Sequence, residues 1–258
     1  MHIDIVDLRQ FYATPLGRLA QKSISSALTS IWKPISDERL LGLGYSTPYL
    51  DRFRADAERT LSFMPAGQGG VPWPPTEPSC SALVFEEDLP LADASVDRVL
   101  MVHALEFSEN AAETLAELWR VLTPGGRLII VVPNRRGVWA RMDYSPFGSG
   151  RPYSGGQLAN LLRTAMFTPT AWSDALHFPP FQKNIFLKAA GGLERFGRRF
   201  APAFAGVLAV EATKQIYQGL PVTERRSRRV YVPVFAPQGA AQSPAPRTPA
   251  LHKPKRIH

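Results

Sequence analysis

The sequence predicts an α/β fold with a parallel sheet at its centre, and three observations carry that expectation. Residues 81–136 alternate short apolar runs with one amphipathic helix, and brief turns join them. A strand, a helix and a strand connected so tightly form a parallel crossover, right-handed by the sterics of twisted strands. A chain of 258 residues can also hold one such domain with a large core and tails to spare.

Each element of that stretch has a physical reason. Ser81 to Phe85 is a short apolar run that ends in Glu86, Glu87 and Asp88. Val96 to Val102 has the length and composition of a strand buried in a parallel sheet. Asn110 to Leu122 sets Ala111, Leu115, Leu118, Trp119 and Leu122 at helical spacing and leaves Glu113, Glu117 and Arg120 for water. Thr123-Pro124-Gly125-Gly126 stops the helix and turns the chain, Arg127 to Val132 is the next strand, and Pro133 closes it.

The order of these signals resembles the second half of a class I S-adenosylmethionine-dependent methyltransferase of the type 11-like kind. The matching features are the acids after the third strand, Leu89-Pro90, Asp97 opening the fourth strand, and Leu122-x-Pro124-Gly125-Gly126 before the fifth. Gly206 to Lys214 (GVLAVEATK) falls where the family's last strand lies, so the resemblance spans roughly residues 39–214. It implies a doubly wound, seven-stranded, mostly parallel Rossmann-like sheet with an antiparallel last strand. It further implies S-adenosylmethionine as cofactor at the strands' carboxyl ends and a small-molecule methyl acceptor. The expected division is a helical extension over 1–38, the methyltransferase-like domain over 39–235 and a tail over 236–258. The likeness is strongest to a bacterial group that shares an altered glycine loop.

That alteration concerns the first strand, Arg39 to Leu43. The family ends this strand with an acid and Gly-x-Gly-x-Gly, whereas here Gly42 takes the acid's place and Ser46 and Pro48 replace the later glycines. The turn still sets two glycines beside a helix N-terminus, with Ser46 or Thr47 as cap, and so suits a carboxylate. The resemblance makes Gly42, Gly44, Tyr45 and Ser46 cofactor-binding candidates. Gly44→Asp is expected to abolish ligand binding while sparing the fold. The second strand, Arg59 to Met64, is followed by no carboxylate before Glu77, so the family's ribose acid is missing as well. Met64 remains a candidate contact, and Gln68 is a substitute for that acid. Trp73, in the Pro- and Gly-rich loop beyond, either stacks on a ligand or anchors the loop.

Glu86, Glu87 and Asp88 stand where relatives read the adenine; the alternative is a solvated acidic turn. His103 follows the fourth strand, where relatives have cofactor and substrate meeting. It serves either as a general base or as a brace for the turn. His103 and Glu106 alone are too few ligands for a metal. Arg135, Arg136 and Arg141 follow the fifth strand and either clamp an anionic acceptor or form a solvated basic loop.

Composition narrows the remaining classes. The formal charge is +8, but Arg247, Lys253, Lys255 and Arg256 place half of it in the Pro- and Ala-rich tail. That tail reads as disordered, and with the Arg225–Arg229 cluster it leaves nucleic acid as the lesser alternative. Cys80 is the single cysteine, which excludes an internal disulfide and a thiolate cluster. No apolar run suits a membrane span and the N-terminus does not read as a signal peptide, so a cytoplasmic location is expected. Residues 4–32 read as helical, with Val6, Phe11, Leu16, Leu19, Ile24, Leu28, Ile31 and Trp32 as apolar stripe. This segment either covers a sheet face or acts as a lid. Function is then a choice between a methyltransferase and a catalytically inactive scaffold of the same fold, with a dinucleotide oxidoreductase a distant third.

Overall fold

The computed structural model describes residues 3–215 except 33–34, 77, 182–183 and 201–203. The expected strand at residues 229–235, the Arg225–Arg229 cluster and the 236–258 tail lie outside the described residues. The sheet has seven strands: β1 (Arg39–Gly44), β2 (Arg59–Pro65), β3 (Ser81–Val84), β4 (Val96–Val102), β5 (Leu122–Pro133), β6 (Phe167–Ala175) and β7 (Val207–Lys214). Their spatial order is β3-β2-β1-β4-β5-β7-β6. β7 runs antiparallel to both neighbours, while the pairs from β3 through β5 are parallel. This is the doubly wound arrangement expected.

The helices are α1 (Ile5–Ala13), α2 (Pro15–Ile31), α3 (Thr47–Arg54), α4 (Ala111–Val121), α5 (Pro146–Ser149), α6 (Gly155–Thr164) and α7 (Asn184–Phe200). Alternate strand residues feed two layers. Leu40, Leu100, Val102, Ile129 and Val131 pack with α1, α2 and α3, together with Trp32 and Trp139. Leu41, Leu43, Val99, Met101, Leu128, Ile130 and Val132 pack with α4 and α6.

Three local expectations change. The buried face of α1 is Ile5, Leu8 and Tyr12, at helical spacing, whereas Val6 is half exposed. α3 begins at Thr47 with Ser46 at its N-cap, but the Ser46 side chain makes no capping hydrogen bond. The Thr123–Gly126 turn does not separate helix from strand, because β5 starts at Leu122. Val96 pairs with Leu122 and Arg98 with Arg127, so four residues loop out of the ladder, with Gly125 at φ +75°.

The motif residues have structural work at the amino ends of the strands. Asp97 accepts from the Arg39 amide at 3.0 Å, from its guanidinium at 2.8 and 3.1 Å, and from Thr123 Oγ1 at 3.1 Å. One carboxylate thereby ties β1, β4 and the loop into β5, and the Arg39 bonds hold its pKa below the usual carboxylate value. Glu117 on α4 takes the Leu89 amide at 2.7 Å, and its partner Arg120 reaches the carbonyls of Leu91 and Leu89 and the Asp93 carboxylate. These contacts fix the turn that carries Leu89-Pro90. On β7, buried Glu211 accepts from Trp32 Nε1 at 2.9 Å and Thr170 Oγ1 at 2.8 Å, and Lys214 donates to the Leu122 carbonyl at 2.6 Å.

Candidate functional site

The strand order reverses between β1 and β4, so the crevice outside their carboxyl ends is where an open α/β sheet binds ligands. Gly44 pairs with Val102 at its base. Its walls are the turn into α3, the loop after β2 and the residues that follow β4.

These pieces enclose side chains rather than an open cleft. Every residue from Leu41 to Thr47 is buried, as is every residue from Met101 to Ser108. The space over Gly44 is filled from α1. The Tyr12 hydroxyl lies 2.9 Å from Tyr49 Oη and 2.8 Å from His103 Nε2, and its ring sits 5.5 Å from Tyr45. His103 Nδ1 lies 3.2 Å from Glu106 Oε1. With Nδ1 donating to the Glu106 carboxylate, Nε2 accepts from Tyr12 and Tyr12 in turn accepts from Tyr49. Burial raises the pKa of Tyr12 and of Tyr49, which keeps both phenols protonated in this chain of bonds.

His103 itself is held in a left-handed conformation, φ 52°, which a non-glycine residue adopts at a cost of roughly 1–3 kcal/mol. Gln68 Nε2 donates to the His103 carbonyl at 2.8 Å, and the Gln68 carbonyl takes the Ile5 amide at 2.9 Å. The α1 backbone is thus bonded to the loop after β2. Phe147 closes the far side, 5.0 Å from the His103 ring and 5.5 Å from Trp139.

The expected site residues separate into groups. His103, Tyr45 and Ser46 are at the crevice and buried. Gly42 faces the first turn of α3, where a Cβ would meet Ser46 Oγ and Leu50. Gly44, at φ +78°, faces β4: a Cβ there would lie 2.3 Å from the Val102 carbonyl oxygen and 2.7 Å from Ala104 Cβ. This corrects the expectation for Gly44→Asp. The glycine makes room for the neighbouring strand, so the substitution strikes the fold. Met64 is buried with its sulfur 3.3 Å from the Val71 amide, and Gln68 spends its Nε2 on His103, which leaves Oε1 without a partner among the described residues.

Glu86 is buried, Glu87 is half-buried and Asp88 is exposed, beside an exposed Phe85 at the sheet's edge. Trp73 is an anchor: it is buried, with Nε1 3.1 Å from Asp51 Oδ1. Arg135, Arg136 and Arg141 are exposed. They do not line the cavity of about 660 Å³ that opens on the outer side of α1, whose walls include Asp4, Asp7, Phe11, Phe107, Asp143 and Tyr144. Among the described residues no group of three potential ligands could hold a metal, and no helix is long and apolar enough to cross a membrane.

Tyr12, Tyr49 and Phe147 were not singled out by the sequence. The one available signal was the placement of Tyr12 on the Ile5–Leu8 face of an amphipathic helix.

S-adenosylmethionine, the cofactor that the family resemblance implies, needs polar partners from this crevice. Ser46 Oγ, Gln68 Oε1 and Glu106 Oε2 are buried without a hydrogen-bond partner among the described residues. Gln68 and Glu106 adjoin His103, so their unpartnered oxygens, with Tyr49 Oη and His103 Nε2, suit a polar ligand, whereas Ser46 Oγ faces Gly42 and Leu50. The lining fits, but the volume is filled while α1 is docked.

A family model described as a methyltransferase domain matches residues 78–130, which cover β3, β4, α4 and most of β5. The chain is 38% identical over 82 residues to a probable S-adenosylmethionine-dependent methyltransferase of Mycolicibacterium smegmatis, a match covering 31% of this chain and 32% of that relative. The chain thus spans about a third of that relative. Among solved structures it resembles a putative methyltransferase held in complex with the Trm112 activator of Haloferax volcanii, at TM-score 0.59 and 16% identity over 83% of this chain and all of that one. It also resembles an S-adenosylmethionine-dependent methyltransferase, possibly acting on histamine, from Thermotoga maritima, at TM-score 0.55 and 18% identity over 82% of this chain and 96% of that one. The sheet is the fold of these methyltransferase structures, and residues 78–130 match a methyltransferase domain.

Proposed function

We propose that this protein transfers a methyl group from S-adenosylmethionine to a small acceptor. The observation that carries the reading is the methyltransferase-domain match across β3–β5, the strands that shape one wall of the crevice. When bound, the cofactor supplies a methyl group already activated on a sulfonium, so side chains have mainly to position the acceptor.

The residues have roles consistent with this. Amides of the Gly44–Ser46 turn, at the N-terminus of α3, suit the cofactor's carboxylate, and Glu86, Glu87 and Asp88 suit its adenine. His103 Nε2, free to accept once Tyr12 leaves it, takes a proton from the acceptor, and Glu106 Oε1 fixes the imidazole tautomer that allows this. The 660 Å³ cavity lined by Asp4, Asp7 and Asp143 supports an uncharged or cationic acceptor there. An anionic acceptor would have to use the arginines past β5 instead.

One observation favours a second reading, a scaffold of the same fold. The crevice is packed with tyrosines, and the carboxylates that relatives use after β1 and β2 are missing. Calorimetric titration with S-adenosylmethionine and S-adenosylhomocysteine separates the two. Micromolar binding of either ligand is expected for the enzyme, followed by turnover in an acceptor screen. No heat and no thermal shift at millimolar ligand would leave the scaffold reading.

A further inference from the structure

We propose that α1 is an autoinhibitory latch: docked, its Tyr12 occupies the place the methyl donor would take, and α1 must swing away at Thr14–Pro15 to admit it. The inference rests on the methyl-transfer reading. A lid laid over a ligand would leave the crevice beneath it open; here the helix contributes the occupant. Tyr12 contacts Tyr45 and Tyr49 beyond β1 and His103 beyond β4, while the Ile5 amide is tied to the loop after β2.

The junction is built to let α1 move alone. Thr14 is the only residue between the two helices, with extended backbone, and it serves as C-cap of α1 and N-cap of α2. Its Oγ1 accepts from the Gly17 amide within α2's first turn and donates to the Phe11 carbonyl at 2.7 Å, so α1 leaves by breaking the second bond while the first holds α2's start. What α1 uncovers is polar: Tyr49 Oη and His103 Nε2 lose their partner, and, beside His103, Gln68 Oε1 and Glu106 Oε2 already lack one among the described residues. An interface selected only for packing would not bury so many unpaired polar atoms.

The geometry supplies its own lock. A Cβ at Gly69 would lie 3.9 Å from Ile5 Cβ, close to the roughly 3.8 Å of a disulfide. Ile5→Cys with Gly69→Cys, in a Cys80→Ser background, therefore pins α1 shut when oxidised and frees it when reduced. S-adenosylhomocysteine is titrated calorimetrically into both forms, with Gly69→Cys alone as control because residue 69 has φ +82°. The expected result is affinity at least about tenfold weaker in the oxidised form, recovered on reduction. Equal affinity in both forms overturns the latch and leaves the cofactor reading standing. No binding by either form or by the unmodified protein overturns the cofactor reading, and the latch with it. Should the paired variant not fold, Tyr12→Phe deletes only the hydroxyl. The latch then predicts tighter binding than in the parent, and unchanged or weaker binding contradicts it.

Discussion

The two ends of the sheet solve opposite problems. At the amino ends the charged side chains are well bonded: Asp97 accepts four hydrogen bonds, and Glu117 with Arg120 pins the Leu89–Asp93 turn. At the carboxyl ends, polar atoms are buried and several go unpaired, under a helix that belongs to neither neighbouring strand. The residues that make the family resemblance lie mostly at the first end. They hold strands together, so their presence speaks for the fold more directly than for the reaction. The proposed chemistry depends on the second end.

The largest effect that would test this contrast is expected at Gly44. Gly44→Ala puts a Cβ 2.3 Å from the Val102 carbonyl at a positive φ, and neither can relax without parting β1 from β4. A loss of more than about 3 kcal/mol is expected by chemical denaturation. A smaller loss would mean the carboxyl end is looser than its packing implies. Tyr12→Ala comes next. It removes a fully buried ring and two hydrogen bonds, at about 3 kcal/mol. Unlike the glycine change, its loss should be confined to α1, with amide exchange accelerated over residues 5–13 and unchanged in β4. Acceleration throughout the sheet would show that α1 belongs to the cooperative core.

At the opposite end, Asp97→Asn keeps the shape and removes the charge. Asp97 is partly exposed, so solvent discounts the pairing, and about 1–2 kcal/mol is expected at neutral pH. The folded carboxyl titrates below its usual value. Its contribution is therefore present above the ordinary carboxylate pKa and is lost as pH falls through the lower, folded value. The stability gap between parent and variant should close on acidification from about pH 4 downward. A gap that persisted at pH 2 would show that the asparagine costs geometry rather than charge.

This contrast also explains what the sequence made legible. Strands β3 to β5 were readable because buried parallel strands are continuous apolar runs and α4 has a clean helical period. The helical character of residues 4–32 was readable for the same reason. Which face of α1 is buried was read less well, since Val6 competes with Ile5 and Leu8 for the stripe. The role of Tyr12 was hidden because its partners Tyr49 and His103 are 37 and 91 residues away. Gly44 was noticed for a different reason from the one the packing gives: a glycine that admits a ligand and one that admits a neighbouring strand look alike in sequence. His103 was left between two roles; its bonds to Tyr12 and Glu106 are those of a brace, and the base role rests on the proposed movement of α1.

The smallest effect belongs to the arginines past β5. Arg135 and Arg136 lend backbone amides to Tyr153 and Asn134, but their exposed guanidinium groups have no partner among the described residues. The double change Arg135→Ala with Arg136→Ala should therefore move stability by no more than about 0.5 kcal/mol. It should also leave S-adenosylhomocysteine affinity alone, because neither side chain reaches the crevice under α1. Any effect should fall on the acceptor: a rise in KM at constant kcat would mean that an anion is clamped at the sheet's edge, away from the acidic cavity. Unchanged kinetics would assign acceptor choice to the other side of α1, where Asp7 and Asp143 repel anions, and the edge arginines would then be a solvated loop.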